Sequence, residues 1–207
     1  MESHQKVNGH VRKRVVVQWL QQNPSTAAQV CEALRRFHPE LAFSCYQTAS
    51  RILTRLERKR RIRVIGRFFK DAGRPANAYF CEDLREDLVR HEILVTQFIL
   101  DMRPDRWVRL WDVDEKFHAD AELWFGKTKV YIELDTGQTP YRRVWRKFKR
   151  YGELLGEQEL VVWVCLSEHR LSGLKRRGKA INGKGVFSVL GSGRFVDWGA
   201  DEVSFNR

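Results

Sequence analysis

The sequence has no long hydrophobic run, no apolar stretch near its start and no paired cysteines. Its longest apolar run, residues 160–166, has the length of a strand and is far too short to cross a membrane. Because residues 1–10 lack an apolar stretch, we expect no secretory signal, no membrane partner and a cytoplasmic location. The lack of a Cys-x-x-Cys pair disfavours a zinc site or a disulfide framework and favours small buried residues in a reducing compartment. The four cysteines are Cys31, Cys45, Cys81 and Cys165.

Acidic residues are scarce in the first part of the chain but not in the second. Residues 1–82 contain 16 Lys and Arg against 6 Asp and Glu, whereas residues 83–207 contain 22 against 20. This asymmetry predicts two domains, 1–82 and 83–207, of which the first binds a polyanion. Hydrophobic residues make up 43% of the chain, which is enough for folded cores. A basic surface that serves only solubility is the alternative.

The first 82 residues have the pattern of three helices followed by a hairpin. Apolar residues recur at helical spacing in residues 12–22, 26–37 and 45–61. Ser25 or Thr26 can cap the second helix. Two strands are expected at Ile62–Phe69 and Asn77–Cys81, with turn residues between them. Helix, helix, basic helix and hairpin is the order of a winged helix-turn-helix domain.

The third of these helices has one apolar and one polar face. Its apolar face repeats at positions i, i+3, i+4 and i+7 from Ala49 to Leu56. A basic helix of this kind can enter the major groove of double-stranded DNA, while the hairpin contacts the flanking backbone. A solvated charged face and a winged helix that contacts protein are the alternatives. The candidate DNA-binding residues are Gln47, Ser50, Arg51, Thr54, Arg55 and Arg58 on the helix and Arg67, Lys70 and Arg74 on the hairpin.

Residues 83–207 predict a mixed sheet with helices packed on it. A helix is expected at Leu84–Met102, and a long basic helix starts at Pro140, with Thr139 as its cap. A tight turn at Gly126-Lys127 joins two of the strands. We therefore expect an α+β fold class. The strands are expected at residues 107–111, 119–125, 129–135, 160–166, 186–190 and 194–198.

Three carboxylates fall on two adjoining strands of this sheet. Strand alternation places Glu133 and Asp135 on one face, and Asp120 lies beside Glu133 if the two strands pair. Carboxylate oxygens suit Mg²⁺, which takes further ligands from water and phosphate, and such an ion can polarise a phosphodiester. The pattern therefore points to a magnesium site of these three acids. In the alternative, arginines of the basic helix pair with the acids. The basic candidates for DNA phosphates there are Arg142, Arg143, Arg146 and Lys147.

The order helix, three strands, helix, strand, with acids at this spacing, resembles the PD-(D/E)XK nuclease superfamily. The resemblance implies Asp120, Glu133 and Asp135 as catalytic residues, and Glu92 as an additional acid on the first helix. The usual proline of the family is Ala119 here, and its usual lysine is Asp135. Lys147 or Gln138 is a candidate substitute for that lysine. A nuclease fold that no longer cleaves and a magnesium-dependent endonuclease both remain open.

A second resemblance covers most of the chain. The winged-helix pattern, the segment HEILVTQF and the segment IELDTGQTPYRRVWRKFKRY resemble the replication-relaxation proteins of bacterial plasmids and mobile elements. The resemblance implies a DNA-handling protein that acts in plasmid replication, transfer or DNA processing. It implies double-stranded DNA as a partner, and leaves a homodimer and other proteins of a replication, transfer or transposition complex as open alternatives.

Some aromatic and histidine residues near the acids also need an interpretation. Core-like spacing predicts that the tryptophans pack inside, with stacking on a base as the alternative for one of them. His118 lies two residues before Asp120, where a structural role is favoured over a catalytic one. The tryptophans are Trp107, Trp111, Trp124, Trp145 and Trp163.

Overall fold

The computed structural model describes residues 2–68, 75–109, 119–177, 185–197 and 203. The fold is mixed α+β, and the chain divides into two compact units, Met1–Arg103 and Pro104–Arg207. Several residues of the sequence analysis lie outside the described ranges, namely Lys70, Arg74, Trp111 and His118.

The first unit combines helices with a small antiparallel sheet. The strand order in this sheet is β1-β3-β2, so the third strand lies between the other two. A short 3-10 helix, Pro39–Leu41, separates the second and third helices. The elements are α1 (Glu2–Gln22), β1 (Ser25–Thr26), α2 (Ala27–Phe37), α3 (Tyr46–Arg58), β2 (Arg63–Phe68), β3 (Ala76–Phe80) and α4 (Glu86–Met102).

The start of α2 follows directly from its sequence. The side chain of Thr26 accepts a hydrogen bond from the Gln29 backbone N–H, and the Thr26 N–H donates to Oε1 of Gln29 at 3.0 Å. This reciprocal capping box satisfies two backbone donors that the first turn of a helix leaves unpaired. The expectation that Ser25 or Thr26 caps the second helix is therefore confirmed, with Thr26 as the cap.

Helix α4 packs within the first unit, although the sequence analysis places it in the second domain. Nε2 of Gln29 donates to the Ile93 carbonyl at 2.9 Å, and Oγ1 of Thr96 donates to the Pro24 carbonyl at 2.8 Å. Val89 and Ile93 also form an apolar cluster with Ala78 of β3. The charge asymmetry suggested a domain boundary after residue 82, but charge counts carry no information about these contacts. The compact unit extends to Arg103.

Among its described residues, the second unit is built on a six-stranded mixed sheet. The first three strands run antiparallel, the middle strands are parallel, and the last pair is antiparallel again. The spatial order of the strands equals their order in the chain. The elements are β4 (Arg106–Arg109), β5 (Ala121–Phe125), β6 (Thr128–Asp135), α5 (Tyr141–Leu154), β7 (Glu159–Cys165), α6 (Glu168–Arg177), β8 (Gly185–Val189) and β9 (Phe195–Val196).

Helix α5 packs its apolar stripe on one face of this sheet. Val144, Phe148 and Tyr151 are buried there together with Trp163 and Phe187 of the sheet. The Phe148 and Trp163 rings meet edge to face, with centroids 4.4 Å apart. The predicted Thr139 cap of α5 is wrong: Pro140 is the N-cap residue, and it makes no side-chain capping bond.

Two expectations about burial are only partly correct. Cys165 is buried, but Cys45 is exposed, so small buried residues describe only some of the cysteines. Trp163 lies in the core as expected, whereas Trp145 on α5 is 45% exposed. Within the described ranges, no helix has both the length and the apolar character needed to span a bilayer.

Candidate functional site

Glu133 is a carboxylate inside the core of the second unit. It lies on β6, between β5 and β7, and is 4% exposed. Strand alternation places it on the same face as Tyr131, whose ring contacts that of Tyr151 on α5. The face that carries Glu133 is therefore the face that α5 covers.

Two side chains of α5 hold the Glu133 carboxylate. Nζ of Lys147 lies 2.5 Å from Oε2, and the hydroxyl of Tyr151 donates to Oε1 at 2.7 Å. Lys147 and Tyr151 are four residues apart, so they project from the same side of the helix. The Lys147 side chain is 41% exposed, so its ammonium group reaches from solvent into the core.

Asp120 lies beside Glu133, as the sequence predicts. Strands β5 and β6 pair antiparallel, with Ala121 opposite Ile132. The Asp120 N–H donates to the Ile132 carbonyl at 2.8 Å, and Oδ2 of Asp120 accepts from the Leu134 N–H at 2.7 Å. The hydrogen bonds of Asp120 thus extend the pairing between β5 and β6 by one residue before the start of β5.

Burial and neighbouring charges shift the pKa values of the groups in this cluster. Burial raises the pKa of Glu133 to about 7, and the charge of Asp120 acts in the same direction, against the ammonium group of Lys147. Burial alone would lower the pKa of Lys147, but the Glu133 carboxylate outweighs it and the pKa is raised. Burial raises the pKa of Tyr151 well above its usual value, so its hydroxyl remains a donor.

Asp135 has a different cation as its partner. Oδ2 of Asp135 lies 2.8 Å from Nη2 and 2.9 Å from Nε of Arg170, and Oδ1 accepts from the Gly137 N–H at 2.8 Å. Arg170 belongs to α6, and its guanidinium group also donates to the Thr139 carbonyl. An acid in the apolar segment VYIELD predicts a compensating cation, but the expected partners were Arg142, Arg143 and Arg146 of α5.

The three acids can be compared with the donor set that magnesium requires. Both oxygens of Asp135 accept from N–H donors, and both oxygens of Glu133 accept from Lys147 and Tyr151. Among the residues that the structure describes, no group of three or more His, Cys, Asp and Glu side chains has a metal-binding arrangement. Asp135 is therefore paired with the guanidinium group of Arg170, while Asp120 and Glu133 are adjacent carboxylates.

The remaining candidates for the catalytic set belong to other elements of the chain. Glu92 is a buried residue of α4 in the first unit, and its Oε1 lies 3.0 Å from Nδ1 of His91. Gln138 is exposed in the segment between β6 and α5. Tyr151 and Arg170 were not assigned a role from the sequence. For Tyr151, the four-residue spacing from Lys147 was the one local signal in the sequence.

The polar face of α3 forms a basic surface on the first unit. Ala49, Leu53 and Leu56 are buried, as the apolar stripe predicts. Within the described part of the chain, the guanidinium groups of Arg51 and Arg55 have no ion-pair partner. The hydroxyl of Thr54 donates a hydrogen bond to the Ser50 carbonyl within the same helix, at 3.0 Å. The exposed candidates are Gln47, Arg51, Arg55 and Arg58 on α3 and Arg67 on β2, and Ser50 and Thr54 are half-buried.

Helix α5 carries a second basic surface, on the second unit. Arg142, Arg143 and Arg146 are exposed on the side that faces away from the sheet. Lys147 differs from them because it turns toward Glu133.

Comparisons with known proteins give no match for this α+β chain. No family model, no curated protein sequence and no solved structure matches it. Its function must therefore be inferred from the two basic surfaces and from the buried cluster of charges.

Proposed function

We propose that the chain is a DNA-binding protein whose first unit binds double-stranded DNA and whose second unit has a nuclease-like fold that does not cleave. The observation that carries the proposal is the row of exposed arginines on α3, opposite a buried apolar stripe. Basic side chains without acidic partners are free to contact phosphates.

The arrangement of the first unit supports a winged helix-turn-helix. Its elements follow the order helix, strand, helix, helix, strand, strand, and the strand order is β1-β3-β2. In such a domain α3 is the recognition helix, and the hairpin of β2 and β3 is the wing. Gln47 and Ser50 near the start of α3 would then face base edges, and Arg51, Arg55 and Arg58 would contact phosphates.

The biological setting that we propose is a plasmid or another mobile element. The segments HEILVTQF and IELDTGQTPYRRVWRKFKRY support it through their resemblance to replication-relaxation proteins. The chain would act in replication, transfer or DNA processing, in the cytoplasm. A second copy of the chain and other proteins of such a complex are further proposed partners.

The partners of the acids support the absence of cleavage. In the PD-(D/E)XK arrangement the position of Asp135 carries a lysine, whereas here an acid is neutralised by Arg170. Glu133 is likewise paired with the ammonium group of Lys147, and it accepts a hydrogen bond from the Tyr151 hydroxyl. Both buried acids thus have a cationic partner on a neighbouring helix.

A second candidate function is magnesium-dependent cleavage of DNA, and Lys147 is the observation that favours it. Its ammonium group lies beside Glu133 and is attracted by Asp120, so it can replace the missing lysine of the strand. Asp120 and Glu133 would hold the ion, which when bound polarises a phosphodiester and activates water. In this function Asp135 would remain paired with Arg170.

Binding measurements at several salt concentrations test the first function. We expect the affinity for a 20-base-pair duplex to fall steeply with salt. The variant Arg51→Ala/Arg55→Ala should lower the slope of log K against log salt by about 0.9 for each phosphate that is no longer neutralised. The charge-matched control is Arg35→Ala/Arg85→Ala, because both arginines are exposed and paired with acids. Equal binding by both variants would contradict the role of α3.

A plasmid assay separates the two functions. Supercoiled DNA is incubated with Mg²⁺ or Mn²⁺ and either the wild type or the variants Lys147→Met and Asp120→Asn. The non-cleaving protein leaves the plasmid intact in every case. Nicking by the wild type that both variants abolish would establish the endonuclease instead.

A further inference from the structure

Trp145 is a large aromatic side chain on the outer surface of α5. It is 45% exposed, whereas its neighbours Val144 and Phe148 are buried against the sheet. Single exposed apolar residues are common on proteins and need no explanation by themselves. The meaning of Trp145 therefore depends on the side chains around it.

Cations surround the exposed indole along the helix. Arg142 precedes Trp145 by three residues and Lys149 follows it by four, so both lie next to it on the same face. Arg146 is adjacent, and all three cations are exposed. From Arg142 to Lys149 the helix rises about 10 Å. We call these four residues, Arg142, Trp145, Arg146 and Lys149, the Trp145 strip.

A flat aromatic ring between cations matches the chemistry of one class of ligand. Single-stranded nucleic acid presents an anionic backbone together with bases whose faces are open for stacking. In a duplex the same faces are covered by neighbouring base pairs, so only the cations of the strip would find a partner. The combination of indole and cations therefore selects for unpaired bases.

Two other occupants fit the strip less well. A membrane surface binds helices that expose a broad apolar face, but Val144, Phe148 and Tyr151 of α5 are buried in the core, which leaves only the indole. A protein interface has an apolar centre from which charged residues are depleted, whereas the strip has three cations around one ring.

We propose that the Trp145 strip binds single-stranded DNA, with the indole stacked on one unpaired base and Arg142 and Lys149 in contact with flanking phosphates. The inference rests on the proposed function because it takes DNA as the ligand. It differs from that function because it assigns single-stranded DNA, and a binding surface of its own, to the second unit. Such a surface suits a protein that acts where a duplex has been opened.

The test compares three fluorescently labelled probes by anisotropy: a 20-nucleotide thymidine strand, the same backbone without bases, and a 20-base-pair duplex. We expect Trp145→Ala to weaken binding of the thymidine strand about tenfold, because a stacked base is lost. Trp145→Phe keeps a ring and should retain affinity within about threefold. Binding of the duplex and of the base-free strand should change by less than about twofold, because phosphate contacts remain.

The outcomes for the strip and for the proposed function are distinguishable. Unchanged binding of the thymidine strand by Trp145→Ala, or an equal loss on all three probes, would overturn the stacking role. Vesicles of anionic phospholipid serve as a further probe, and Trp145-dependent binding to them without binding to the thymidine strand would also overturn it. Arg51→Ala/Arg55→Ala should weaken duplex binding alone. If duplex binding is absent while the thymidine strand still depends on Trp145, the proposed function fails and the strip stands.

Discussion

The ammonium group of Lys147 lies 2.5 Å from Oε2 of Glu133, inside the second unit. One partner is almost fully buried and the other reaches it from the surface, so the pair joins α5 to the centre of the sheet. A buried ion pair is a weak stabiliser by itself, but the loss of one partner leaves an uncompensated charge. The consequences of single substitutions in this cluster can therefore be predicted with a definite sign.

The first prediction concerns the pH dependence of folding. The pKa of Glu133 is raised by burial from about 4.5 to about 7, so in this window the folded chain holds a proton that the unfolded chain releases. The unfolding free energy contributed by Glu133 therefore falls as pH rises from about 4.5 to 7. Relative to Glu133→Gln, the wild type should lose about 2 kcal/mol across this window in urea titrations.

A control for this titration is available on the same helix. Glu153 is exposed on α5, so Glu153→Gln removes a carboxyl group without changing the core. The difference between the wild type and this control is the baseline against which the difference for Glu133→Gln is measured. If the difference for Glu133→Gln instead grows with pH, the attraction of Lys147 exceeds the effect of burial.

The second prediction concerns the hydroxyl of Tyr151. Tyr151→Phe removes the donor to Oε1 of Glu133 and leaves the ring in place. Because the acceptor is a buried carboxyl group, we expect a loss of about 1–3 kcal/mol in unfolding free energy. The loss should be larger at pH 8 than at pH 5, since the charged form depends more on the hydrogen bond. No loss at either pH would argue that Tyr151 contributes only by packing.

The third prediction concerns the pair of Asp135 and Arg170. Arg170→Met leaves Asp135, which is 3% exposed, with the Gly137 N–H as its one remaining donor among the described residues. We expect a loss of about 3–5 kcal/mol. The double variant Asp135→Asn/Arg170→Met should recover a large part of it, and a double-mutant cycle measures the coupling. Additive losses would mean that the two side chains do not stabilise each other.

The fourth prediction concerns the close approach of α5 and α6. A Cβ atom at Gly173 would overlap the hydroxyl and ring of Tyr141, whose ring also lies under the guanidinium group of Arg170, 4.1 Å from its centroid. Gly173→Ala should therefore cost about 1–3 kcal/mol of stability, despite the better helix propensity of alanine. Because leucine is smaller than tyrosine, adding Tyr141→Leu to Gly173→Ala should relieve the clash. Equal thermal stability of Gly173→Ala and the wild type would contradict this packing.

Local patterns in the sequence were sufficient for much of the second unit. Strand alternation and the tight turn at Gly126, where φ is +56°, set the register in which Asp120 lies beside Glu133. The apolar stripe of α3 likewise predicts which of its residues are buried. These features follow from periodicity within one helix or from two strands joined by a short turn, so the sequence pattern predicts them.

Contacts between distant residues account for the rest. No spacing in the chain links Asp135 to Arg170, and the choice of Lys147 over Arg146 as the partner of Glu133 depends on how α5 rotates on the sheet. The packing of α4 against Gln29 and Pro24 places that helix in the first unit.

Local sequence patterns were thus enough to predict the α+β class, the positions of most elements and the basic face of α3. The pairing of each buried acid with its cation, and the position of Trp145 outside the core, became visible only in the folded chain. Burial and charge pairing depend on how separate elements pack, and that packing leaves no periodic signal in the sequence.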